Sequence, residues 1–74
     1  MAQNNDNKIR QALQAMGSIE RQLRMFEAMR VVAVEHNGEA EIERCDRNIG
    51  ELDGEWQELS ELLVELGYHP ETNG

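Results

Sequence analysis

The chain has 74 residues, a net charge of −8, one cysteine and two histidines. This excludes more than one domain, an intrachain disulfide and a histidine- or cysteine-based metal cage; Cys45, His36 and His69 show no Cys-x-x-Cys or His-x-x-x-His spacing. The acidic balance also argues against free nucleic acid and anionic membrane as ligands, because phosphate surfaces reward clustered Lys and Arg.

A domain of this size buries only about 60% of its unfolded surface and is marginal alone. Disulfides, metals or a second chain usually make up the deficit. With the first two excluded, self-association or a protein partner is the expected staple. A lone thiol suits a reducing compartment. Residues 1–7 contain no apolar run, so no signal peptide is expected. No stretch approaches the ~20 apolar residues of a membrane span. The expectation is a soluble, cytoplasmic protein with no cofactor and no small-molecule substrate.

In chain order, residues 1–6 are Asn- and Gln-rich and are expected to fray, with Asn5, Asp6 or Asn7 as the N-cap of a first helix. That helix spans about 7–36, and Gly17 alone interrupts its helix-forming residues. Its apolar stripe is Ile9, Ala12, Met16, Ile19, Leu23, Phe26 and Ala33, with Arg30 interrupting. Arg30 is either a register device or a side chain that snorkels outward. His36-Asn37-Gly38 is the stop, because Asn and Gly tolerate the left-handed conformation that ends a helix.

The second helix, about 39–66, carries the strongest signal in the chain. Ile42, Cys45, Ile49, Leu52, Trp56, Leu59, Leu63 and Leu66 recur at alternating steps of three and four, a heptad seam over more than three heptads. Glu39, Glu41 and Glu43 favour the positive end of its dipole. Gly67 and Pro70 mark its end, and residues 68–74 form a flexible polar tail. Two such helices joined by a short turn make an all-α antiparallel hairpin, a single domain over 1–74. Facing residues should sum to about 75. This sets Ile9 against Leu66, Ile19 against Trp56 and Phe26 against Ile49, and places Arg30 opposite Cys45. The same sum pairs Arg24 with Glu51 and Arg10 with Glu65. Trp56 and Cys45 are read as core, and His36 as a turn residue.

Three features lie outside the seam. Met25, Ala28, Met29 and Val32 fall on the far side of the first helix, so a hairpin partner leaves them uncovered. Soluble monomers rarely expose a contiguous apolar patch of this kind. Its expected use is homodimerisation into a four-helix bundle, or docking of a larger protein, where Met adapts to irregular surfaces. Gly50 and Gly54 lie four residues apart, away from the seam, and each costs up to about 1 kcal/mol relative to Ala. Close approach of another backbone, or a bend, would account for them. Glu51, Glu55 and Glu58 belong to an acidic strip whose Glu51–Glu55 pair repels at i,i+4. It is either a solvated face or a surface for a basic partner.

In size and plan the chain resembles the dimeric two-helix repressor of primer proteins, which bind RNA hairpins. Glu51-Leu52-Asp53 is similar to the end of the Ser-Gln-Glu-Leu-Asp signature of two-helix sporulation phosphatases, with Ile49-Gly50 in place of Ser-Gln. The acidic charge opposes RNA binding, and neither function is carried over. The leading expectation is a non-enzymatic interaction protein: a small acidic adaptor, co-chaperone or inhibitor of a larger protein, of the kind that phages and bacteria encode. The alternatives are nucleic-acid mimicry by the acidic strip and an enzyme centred on Asp53.

Overall fold

The computed structural model describes residues 2–68 of the chain. It contains two helices, α1 (Ala2–Glu35) and α2 (Glu39–Glu65), packed against each other. Met1 and the expected tail residues His69–Gly74 lie outside the described residues.

α1 begins five residues earlier than the sequence reading places it. The segment expected to fray, from Ala2 to Asp6, is helical, and no cap at Asn5, Asp6 or Asn7 starts the helix. The reason is local. Asn and Asp are weak helix formers, but no Gly or Pro lies among them, and an established helix extends at little cost per residue.

Both helices stop as the sequence indicates, through the same hydrogen-bond arrangement. At the end of α1, Asn37 takes the left-handed conformation (φ 57). The Gly38 amide donates to the Ala33 carbonyl at 2.8 Å and the Asn37 amide to the Val34 carbonyl at 3.1 Å. At the end of α2, Gly67 is left-handed (φ 91). There the Tyr68 amide donates to the Leu63 carbonyl at 2.9 Å and the Gly67 amide to the Val64 carbonyl at 3.0 Å. Each is a Schellman motif, which satisfies carbonyls that the helix leaves orphaned. Gly38 serves differently. It is the N-cap of α2, its carbonyl accepts from the Ile42 amide at 2.9 Å, and its missing side chain leaves room for the Glu41 carboxylate.

The two apolar stripes meet along the hairpin. Ala12, Ile19, Ala33, Cys45 and Leu63 are buried, and Ile9, Met16, Leu23, Phe26, Ile42, Ile49, Leu52, Trp56, Leu59 and Leu66 are half-buried. Two cross-helix hydrogen bonds mark the register. The Trp56 indole Nε1–H donates to Glu20 Oε2 at 3.1 Å, and Arg30 Nε donates to Asp46 Oδ1 at 2.6 Å. The expected sum of about 75 therefore holds within one residue. Arg30 stands at the level of Cys45, as expected. It leaves the seam and pairs with the neighbouring Asp46.

The expected pairs Arg24–Glu51 and Arg10–Glu65 do not form; the ion pair across the described helices is Arg30–Asp46. The sum rule gives the level of a residue along the hairpin, not its side. Arg10 and Arg24 lie one residue past seam positions Ile9 and Leu23. Glu51 and Glu65 lie one residue before Leu52 and Leu66. In antiparallel helices those offsets point to opposite sides of the pair.

Candidate functional site

A hairpin one helix thick has two broad faces, and here they differ. The hairpin measures 53 × 24 × 14 Å, and among the described residues no layer covers either face of the seam. Even the best-protected side chains are not completely buried.

The first face follows the seam shifted back by one residue on both helices. On α1 this gives the line Lys8, Ala15, Gln22, Met29, with Gln11, Ser18, Met25 and Val32 beside it. On α2 it gives Glu41, Asn48, Glu55, Leu62, with Arg44, Glu51, Glu58 and Glu65 beside it. The structure brings these lines together in three hollows; the one farthest from the turn, of about 230 Å³, is lined by Lys8, Gln11, Ala12, Leu59 and Leu62, and two lie nearer the turn. One, of about 530 Å³, is lined by Ala15, Ser18, Ile19, Glu55, Glu58, Leu59 and Leu62. The other, of about 210 Å³ near the turn, is lined by Phe26, Met29, Val32, Ala33, Glu41, Arg44 and Cys45. The Gln22 amide Nε2 donates to Ser18 Oγ at 3.3 Å between them. This is the glutamate face.

The second face follows the seam shifted forward by one. Leu13, Glu20, Glu27 and Val34 form its line on α1, with Arg10, Arg24 and Val31 beside them. Asp46, Asp53 and Ser60 form its line on α2, with Val64 beside them. Leu13, Met16, Trp56, Ser60, Leu63, Val64 and Tyr68 line a hollow of about 220 Å³ here. Both cross-helix hydrogen bonds also lie here. The hydrogen bond to Asp46, together with its charge, raises the Arg30 pKa above its ordinary value and keeps the guanidinium charged. Both side chains are half exposed, 44% and 53%, so the pair orients side chains more than it stabilises them. This is the mixed-charge face.

The residues singled out from the sequence distribute unevenly over this geometry. Met25, Met29 and Val32 are 51%, 49% and 52% exposed. They share the glutamate face with Glu51, Glu55 and Glu58, all exposed. Ala28 is exposed on the outer edge of α1. Gly54 is exposed on the outer edge of α2, Gly50 is exposed one residue past the seam on the mixed-charge side, and a Cβ built on either meets nothing within 4 Å. The hairpin itself therefore gives neither glycine a close neighbour, and the structure keeps both apart from the methionine patch. Asp53 stands exposed on the mixed-charge face. Cys45 is a free, buried thiol on the seam.

Leu13, Val31 and Val34 are exposed as well, the last two within the stretch 25–34 that is apolar nearly all round. The sequence reading missed two of the eight exposed large apolar side chains, Leu62 and Val64. Leu62 and Val64 flank the seam residue Leu63. In a run of three apolar residues on a helix, only one can face the seam, so Leu62-Leu63-Val64 carries the missed signal.

Among the described residues, no group of three or more His, Cys, Asp and Glu side chains is placed to hold a metal ion. No described helix is long and apolar enough to cross a membrane. No family model matches the sequence, and neither a curated protein nor a solved structure matches it at a significant level.

Proposed function

We propose that this hairpin is a non-enzymatic protein–protein interaction module, a small acidic adaptor, co-chaperone or inhibitor that acts by binding a larger protein. One observation carries the reading. Eight large apolar side chains, from Leu13 at 39% to Val64 at 59%, remain exposed on a seam that is itself only half-buried. Among the described residues no further element lies over them. Another surface is the physical remedy.

A second copy is part of this proposal. The mixed-charge face suits pairing into a four-helix bundle, because Arg10, Arg24 and Arg30 there stand among Glu20, Glu27, Asp46 and Asp53. Each copy brings its own countercharges. Mimicry of nucleic-acid phosphates ranks below this reading. It draws on the row Glu51, Glu55, Glu58, yet that row borders Leu62, Met29 and Val32, whose apolar side chains have no counterpart in a phosphate backbone.

The test compares three affinity columns: wild type, Met29→Asp and Val64→Asp. Met29→Asp should release the larger partner from the wild-type profile. Val64→Asp should convert a dimer to a monomer in sedimentation equilibrium. An unchanged partner profile and unchanged mass for both variants would overturn the proposal.

A further inference from the structure

We propose that the glutamate face receives a cationic amphipathic helix of a partner protein, one bearing two apolar clusters two heptads apart. The inference rests on the interaction-module reading and narrows it to a face and a ligand chemistry.

The spacing comes from the two hollows nearer the turn. One is floored by Ile19, Leu59 and Leu62, the other by Phe26, Ala33 and Cys45. Ile19 and Ala33 mark their levels on α1, 14 residues apart, which is about 21 Å at 1.5 Å per residue. Fourteen residues are close to four helical turns, so a straight helix laid along the groove presents the same face to both hollows. Gln22 and Asn48 separate the hollows and ask for polar residues between the clusters.

The sign comes from the rim. The α2 wall carries Glu41, Glu51, Glu55 and Glu58 against one cation, Arg44. Along the facing α1 wall, Ala15, Ser18, Gln22, Met25, Met29 and Val32 carry no charge, and the one cation of that wall, Lys8, stands at its far end, beyond the row Glu51, Glu55, Glu58. The described chain makes no ion pair with any of these glutamates. An occupant that buries this groove must supply positive charge on one flank, since a carboxylate taken out of water unpaired is costly.

A second copy of the chain does not supply it. With the two-fold axis across the helices, α2 meets the partner's α2 and Glu51 approaches its own counterpart. With the axis along them, the glutamate row meets the neutral row of α1. The first arrangement brings Arg44 level with Glu58 of the other copy but leaves Glu51 and Glu55 without a cation, and the second sets the row Glu51, Glu55, Glu58 against Met25, Gln22 and Ser18, whereas a helix with Lys or Arg on one flank neutralises the whole row. Electrostatic complementarity of this kind fixes orientation and partner choice.

The test uses a synthetic 22-residue peptide with two leucine clusters 14 residues apart and lysines on one flank, and a twin with glutamate in place of each lysine. The full chain is titrated with each and followed by amide shifts and calorimetry. The lysine peptide should shift residues around Met29, Val32, Glu55 and Leu62, and the glutamate twin should not bind. E51Q/E55Q/E58Q should weaken binding about tenfold and flatten its salt dependence, the scale of a few partly exposed charge pairs. These three positions are exposed, so the variant keeps the fold. Absence of lysine-peptide binding, shifts centred on Leu13, Val34 and Val64, equal binding of the twin, or a wild-type dimer that buries Met29 would each overturn the assignment. The broader reading stands or falls separately. If the peptides fail but Met29→Asp still strips a natural partner from the column, only the cationic-helix assignment is lost.

Discussion

The two faces of the hairpin share one seam and a similar load of exposed apolar side chains, yet they differ in charge arrangement. On the mixed-charge face, arginines and carboxylates alternate, and two of the carboxylates are already engaged, Glu20 by Trp56 and Asp46 by Arg30. On the glutamate face, α2 is acidic, α1 is neutral apart from Lys8 at its far end, and no side-chain hydrogen bond spans the groove among the described residues. One face is internally compensated and the other is not. Apolar exposure alone says that a surface is sticky. The charge imbalance adds what the surface asks of its occupant.

Substitutions can break this comparison, beginning with the seam that supports both faces. Leu63 is only 3% exposed. Leu63→Ala should cost about 2–3 kcal/mol in urea denaturation, the lower part of the usual range, because a seam between two helices can partly collapse. Both faces should weaken together.

The next effect separates the faces. Met29→Asp should reduce binding on the glutamate face at least about tenfold and leave self-association intact, on the scale of a partly exposed apolar anchor. Val64→Asp should do the reverse. Sedimentation and calorimetry on the same two variants read both outcomes. Equal losses in both assays would mean that the faces do not act independently.

Smaller changes sharpen the edges. Gly67→Ala places a side chain at φ 91 and should cost about 1 kcal/mol through the α2 stop. Gly50→Ala and Gly54→Ala should each stabilise the hairpin by up to about 1 kcal/mol, since a Cβ meets open space. Thermal melts check both. A loss of self-association in either glycine variant, despite a higher melting temperature, would reveal another backbone against α2 at that glycine. Arg30→Gln should have the smallest effect, no measurable change in melting temperature, because the pair is half exposed.

Much of the fold is legible before any coordinates. The alternating three- and four-residue steps from Ile42 to Leu66 name the buried side of α2. Gly67 and the pair Asn37-Gly38 name the stops, and matched stripes of similar length name the partner helix. The start of α1 is not legible in the same way. Propensity for Asn and Asp marks a weak helix, and a weak helix without a breaker still extends when the turns beyond it are held by packing. The candidate site is half legible. Met25, Met29 and Val32 follow from their angle to the seam, but Leu62 and Val64 hide beside Leu63.

By itself the sequence determined two helices, their stops, the seam and the level at which each residue meets the other helix. These depend on backbone preference and on a one-dimensional period, and both are written locally. Only the tertiary structure decided which exposed residues share a face. Arg24 and Glu51 stand at one level and on opposite sides, while Met29 and Glu41 border one hollow. Sidedness is a property of two antiparallel helices crossing at a given rotation, and no single helix contains it. The tertiary structure also decided how open the seam remains, because among the described residues no element lies above a layer 14 Å thick.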